Sequence, residues 1–281
     1  MAVAELREGL RLLGKNPVLW LPGIAGGAVC AGLWILYNLT GTFFVGRLFV
    51  ICALVLFFFI AGMLQVVKNG ETGVRSLLSG GIRSFFRVLL PQLVIVFVLI
   101  LIFTVAMVTL TLAGFSSDES VLSFVFVITA VPVFLLTFFF DTAAVFEDRR
   151  VFESVARSVQ IVVHRTGEVA VFFLISAGVL VLVVFTMMLL WEAALYDKLQ
   201  PLTSYNETQI QAFTTDQLIG LVGPTGVWVT AGVIFIGVTL LIPILYSYKM
   251  VFFRAVSGRF ISIRQQATTG EYDSKGRWYK Y

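Results

Sequence analysis

Six long apolar runs dominate the hydropathy pattern of this chain. They fall at roughly 17–38, 43–67, 88–114, 121–146, 167–192 and 226–253, and the stretches Val88 to Phe115 and Val121 to Phe140 carry no charge. About twenty consecutive apolar residues, wound as a helix, cross a hydrocarbon core about 30 Å thick. Lipid offers no partners for backbone amides, so each run must be a helix or part of a closed barrel. The runs are continuous and do not alternate with period two, which selects helices. The pattern predicts an all-α, polytopic helical membrane protein with about six transmembrane helices. Its transmembrane domain covers 1–260, and a short basic and aromatic tail covers 261–281.

Between the runs, polar positions recur with period four. Arg75, Ser79, Arg83 and Arg87 form one stripe, with Val74, Leu78, Ile82, Phe85, Phe86 and Leu89 on the other faces. Further along, Glu153, Arg157, Gln160 and His164 line one face, and Val151, Val155, Val159 and Val162 another. Glu153 precedes Arg157 by four residues, the favourable order for a helical ion pair. At the N-terminus Arg7, Arg11 and Lys15 repeat the spacing. These segments predict amphipathic interfacial helices on the cytoplasmic side, with Arg75, Arg83, Arg87, Arg149, Arg150 and Arg157 facing anionic lipid headgroups. Each precedes a pair of runs. The chain therefore reads either as three duplicated units or as three hairpins with ordinary juxtamembrane anchors.

Charge sets the orientation. Eighteen of the twenty basic residues flank the runs on one side, and only Arg47 and Lys198 lie on the other. The positive-inside rule then predicts a multi-pass cell-membrane protein with both termini in the cytoplasm. The opposite loops are acidic, with Asp118, Glu119, Glu192, Asp197, Glu207 and Asp216, and they hold both N-glycosylation sequons, at Asn38 and Asn206. Asn206 lies farther from an apolar run and is the better acceptor. It sits in a long polar loop, 193–225, punctuated by Pro201, Gly223 and Pro224, which is either a small helical lid or a connector.

Composition removes other classes. Hydrophobic residues make up 59% of the chain and charged residues 13%, against about 25% charged in soluble domains. The net charge of +4 comes from residues beside the runs, which argues against a nucleic-acid partner. Cys30 and Cys52 fall inside apolar runs and read as small hydrophobes. A lone histidine, His164, gives no His-based metal site. Charges at Glu5, Arg7, Glu8, Arg11 and Lys15 ahead of the first run, with no small-residue cleavage site, mark that run as retained. No P-loop, serine triad, Rossmann fingerprint or zinc spacing is present, so neither a catalytic residue nor a cofactor is expected.

A few residues stand out. Asp141 is an intramembrane acid, which costs a few kcal/mol and marks a functional position unless a neighbouring arginine pairs with it. Glu147 is a second intramembrane polar candidate, and with Asp148 it is placed to cap the following helix. Arg47 either snorkels or pairs with Glu192. Gly23, Gly27 and Ala31, four apart, suit close helix packing within the chain. Pro91, Pro132 and Pro243 lie inside runs, where proline tends to kink a helix.

The stretch from Ala144 to Ser158, AVFEDRRVFESVARS, resembles a pattern in a broad group of multi-pass proteins. In that pattern a span ends in Glu, a short turn follows, and a helix opens with a form of E-A/S-hydrophobic-x-R-S. Leu10 to Pro17 followed by Leu19 also looks like the group's entry into its first span. The group includes the membrane domain associated with glycerophosphoryl diester phosphodiesterases. The resemblance implies a six-helix membrane domain. It does not imply phosphodiesterase activity, which belongs to a separate soluble domain. The expected function is a non-enzymatic membrane protein that organises or binds lipid, a membrane-protein partner or a second copy of itself. The alternative is a small transporter using Asp141.

Overall fold

The computed structural model describes residues 2–114, 118–206, 213–268, 271–272 and 278–279, with side chains as far as Gly258 except at 119, 203–204 and 215–216. The chain is all-α. Helix α1 (Ala2–Lys15) leads through a short 3-10 turn (Pro17–Trp20) into α2 (Leu21–Thr40), followed by α3 (Thr42–Asn69), α4 (Val74–Leu112), α5 (Glu119–Thr137) and α6 (Phe140–Phe146). Then come α7 (Val151–His164), α8 (Thr166–Ala194), α9 (Tyr196–Leu199), a second 3-10 turn (Gln200–Ser204) and α10 (Thr215–Thr268). A two-residue antiparallel ladder pairs Glu271 with Tyr279 and Tyr272 with Trp278.

Among the described residues six helical spans are long and apolar enough to cross a membrane: Pro17–Thr40, Thr42–Asn69, Val74–Leu112, Ser120–Phe146, Thr166–Ala194 and Gln217–Gly258. They match the six apolar runs of the sequence. The protein is a multi-pass helical membrane protein. Because its spans alternate in direction, α1, the α3–α4 and α6–α7 turns and the last turns of α10 gather at one end, called here the basic end.

Helix α10 packs along α2, α1 and α8. Along α2, Gly23 and Gly27 face it so closely that an added Cβ would come within 2.4 Å of the Thr239 carbonyl oxygen and 2.6 Å of that of Phe235. The Thr239 hydroxyl donates to the Gly23 carbonyl at 3.3 Å, and the Trp34 indole donates to that of Val227 at 3.2 Å. The spaced glycines therefore serve packing within the chain. Without a hydrophobic drive between helices in lipid, such close contact is what holds them together.

Two expectations change on inspection. The polar segment ahead of the third span is not a separate helix. It is continuous with that span as the 39 residues of α4. It crosses α3 where Gly62, Gly80 and Gly81 let the backbones approach, and Ser84 donates to Gln65 at 3.0 Å. Helices α4, α5 and α10 continue through Pro91, Pro132 and Pro243, and the chain breaks lie elsewhere. One break falls between α5 and α6, and the other at Gly223, whose φ of 63° suits glycine ahead of Pro224. Finally, α1 packs lengthwise on α10, where Gly9 meets the backbone of Ser247 and Tyr248.

Burial is uneven. The two core clusters hold Leu13, Leu19, Leu64, Leu77, Val88 and Val145 in one, and Phe139, Ile161, Phe172, Tyr248, Phe252 and Phe253 in the other. Both lie toward the basic end. If close packing at the α2–α10 glycines sets stability, Gly27→Val should lower the thermal unfolding temperature in detergent. Gly32→Val, with nothing within 4 Å of its added carbon, should leave it unchanged.

Candidate functional site: a charged joint at the basic end

The joint is built on the break in the fourth span. Phe138 and Phe139 leave the helix between α5 and α6, which strands backbone groups that lipid cannot satisfy. Ser158, on α7, supplies both partners. Its hydroxyl accepts from the Phe139 N–H at 2.9 Å and donates to the Leu136 carbonyl at 2.8 Å. Thr142 adds a bond from its hydroxyl to the Phe139 carbonyl at 2.8 Å. The buried face of α7 is thus Ser154, Ser158 and Ile161, with Val155, Val159 and Val162 half-buried beside it.

The break starts α6 with Asp141 in its first turn. Asp141 is 2% exposed, and Lys249 of α10 reaches its two carboxylate oxygens at 2.7 and 2.8 Å. One of those oxygens also accepts from the Thr142 N–H at 2.6 Å. The Lys249 ammonium lies 4.3 Å from the centre of the Phe138 ring, a favourable placement for a cation. The expected partner for Asp141 is an arginine; the observed one is Lys249, one of the eighteen basic residues that flank the runs on one side. It lies within the sixth span and is 6% exposed in its side chain.

One turn further on, Glu147 and Asp148 collect the remaining charges. Glu147 accepts from Arg157 at 3.1 Å with each oxygen, from Arg149 at 3.0 Å and from the Ser257 hydroxyl at 2.5 Å. Asp148 is bonded by Lys68 of α3 and Arg87 of α4. Lys68 also donates to the Val145 carbonyl at 2.8 Å, and Arg254 of α10 donates to that of Val67 at 2.6 Å. Neither Glu147 nor Asp148 caps α7, contrary to expectation, because Arg149 and Arg157 engage Glu147 and cations from α3 and α4 engage Asp148. At the start of α7 the N-cap amide is served by Glu153, which accepts from the Arg150 N–H at 3.4 Å.

The predicted arginines therefore divide. Arg87, Arg149 and Arg157 belong to the joint, and the Arg157 side chain is only 11% exposed. Arg75, Arg83 and Arg150 are exposed and make no ion pair among the described residues. In the first turns of α4, Leu77, Gly80, Gly81 and Ser84 face the protein. Val74, Leu78, Ile82 and Phe86 face outward beside Arg75 and Arg83.

The other candidates sit apart from the joint. Arg47 stacks over Phe43, with its guanidinium carbon 4.2 Å from the ring centre, and no pairing with Glu192 is formed among the described residues. Asn38 lies in the last turns of α2 and donates to the Trp34 carbonyl at 2.8 Å. Asn206 follows the second 3-10 turn, and the rest of its sequon lies outside the described residues. Comparison with known proteins gives no match to any family model, to any curated protein or to any solved structure.

The joint makes stability depend on pH. The hydrogen bond from Lys68 is the largest effect; burial opposes it, and Arg87 with the charges of both cations adds to it, so the Asp148 carboxyl is held below its usual range. A lowered folded pKa contributes stability that is full above the unfolded value, near 3.9, and is lost as pH falls through the folded value. Asp148 has φ of 50°, a conformation asparagine tolerates. Asp148→Asn should therefore lower the unfolding temperature at neutral pH, and the gap to wild type should close below about pH 4. A constant gap across pH would remove the charge from the explanation.

Proposed function

We propose that this protein is a non-enzymatic, multi-pass membrane protein that organises lipid, and that its basic end engages anionic headgroups on the cytoplasmic face of the cell membrane. The observation that carries the reading is the exposed surface at the start of α4. Val74, Leu78, Ile82 and Phe86 stand out from the protein beside Arg75 and Arg83, which make no ion pair among the described residues. An apolar face next to a basic face suits a helix at the boundary between acyl chains and headgroups. Phe152 on α7 and Val3 on α1 are likewise exposed at this end.

The transport alternative rests on Asp141 as an available intramembrane group. Its carboxylate is buried and bonded to Lys249 and Thr142, so this residue supports a fixed lock rather than a solute site. The resembled motif reads as part of the same lock. Arg157 holds Glu147 and Ser158 mends the broken span, so those residue types at that spacing are explained by structure without any reaction.

Each basic residue near an anionic surface is worth about 1 kcal/mol. In nanodiscs of mixed phosphatidylglycerol and phosphatidylcholine, spin-labelled lipids should show phosphatidylglycerol enriched beside the wild type. The combined Arg75→Gln, Arg83→Gln, Arg150→Gln variant should lose most of that enrichment at unchanged thermal stability. Equal enrichment in both proteins would refute the headgroup assignment.

A further inference from the structure

The bundle is tight at the basic end and opens toward the other, and the opening has a definite shape. Helix α8 runs antiparallel to α10. Near the basic end they are joined by Phe172, whose ring lies 4.6 Å from those of both Tyr248 and Phe252. At the far end the Trp191 indole donates to the Thr230 hydroxyl at 2.8 Å. Between these ties the helices cross at Gly237, where an added carbon would lie 3.2 Å from Met187. Beside the crossing is a cavity of about 710 Å³, within the roughly 300–1,000 Å³ of small-molecule sites.

The walls of this cavity are two facing stripes at helical spacing. Val184, Met187 and Met188 come from α8, and Val233, Ile234 and Val238 from α10. All belong to membrane spans, so what fills the cavity comes from the hydrocarbon layer. Its polar end is closed by α9 and the second 3-10 turn, through Tyr196, Leu199 and Leu202. There, among the described residues, Glu192 is the charged lining residue, with Trp191 and Tyr196 beside it.

We infer that this cleft is a lipid-binding site that takes an acyl chain of a phospholipid whose headgroup carries an ammonium. The chain lies between α8 and α10. The ammonium meets the Glu192 carboxylate and the faces of the two aromatic residues, the arrangement that recognises alkylated amines. Methionine lining suits a flexible chain, because its unbranched side chain adapts to irregular shapes. A phospholipid with a net negative head is disfavoured by Glu192. The site deepens the lipid-organising reading and depends on it only in that respect, since it lies at the other end of the bundle from Arg75, Arg83 and Arg150 and prefers the opposite headgroup charge.

The test is native mass spectrometry of the purified full chain with phosphatidylcholine and phosphatidylglycerol of matched chains. Wild type should retain one phosphatidylcholine in preference to phosphatidylglycerol. Val233→Trp, which fills the cleft, should reduce that retention about tenfold or more, as expected when a few methylenes lose their contacts. Glu192→Gln should bring the two lipids toward equal retention without abolishing binding. The Arg75→Gln, Arg83→Gln, Arg150→Gln variant should keep its phosphatidylcholine, so failure of the basic-end reading and failure of the cleft give different results.

Unchanged retention in Val233→Trp, or a wild-type preference for phosphatidylglycerol at this site, would overturn the inference. Should Val233→Trp not fold, wild type alone decides. Phosphatidylcholine with a photoactivatable chain should label Met187, Met188 and the Val233 to Val238 segment well above the equally apolar, exposed Phe97 and Leu101 of α4. Even labelling would overturn it as well.

Discussion

One buried ion pair constrains the rest of the molecule. Asp141 and Lys249 are both nearly inaccessible, so each would carry a large desolvation cost alone. They can coexist in the membrane only if the fourth and sixth spans stay in register. Reaching that register requires the fourth span to break at Phe138 and Phe139, so that α6 can start afresh with Asp141 in its first turn. The break in turn requires Ser158, and Ser158 requires α7 to dock against the spans. Glu147 and Asp148 then fasten the turn that joins α6 to α7, drawing on α3, α4 and α10. A single pairing thus accounts for the order of contacts at the basic end.

That concentration of ties has a consequence at the other end. Lipid supplies no force that drives helices together there, and among the described residues the polar ties are few. Helix α8 is fixed by an aromatic stack near its start and by one indole hydrogen bond near its finish, which leaves room between it and α10. The same chain therefore presents a rigid, positively charged end and a looser, apolar flank. In the proposed reading, lipid meets headgroup charge at one end and chain volume at the other.

The spans were fully legible in the sequence because hydropathy over twenty residues reports directly on transfer into hydrocarbon. The glycine spacing of α2 was legible for a similar reason, since small residues four apart lie on one helix face. The pairing of Asp141 was legible only in part. Lys249 already lay inside the sixth apolar run, at a depth like that of Asp141 in the fourth, and two opposite charges equally deep in neighbouring spans are natural partners. The role of Ser158 was not legible, because a hydroxyl that mends a break can be recognised only once the break is seen. Glu147 and Asp148 followed a helix-start pattern, and competition from Arg157, Lys68 and Arg87 displaced the capping they were expected to provide.

The central claim is that Asp141 and Lys249 act as one unit. A double-mutant cycle tests it most directly, with unfolding followed by reversible SDS titration of wild type, Asp141→Asn, Lys249→Met and the double variant. Each single change should cost about 3–5 kcal/mol, because it leaves the other charge buried and alone, and the double variant should cost far less than the sum. Additive costs, or a tolerated single change, would contradict the account.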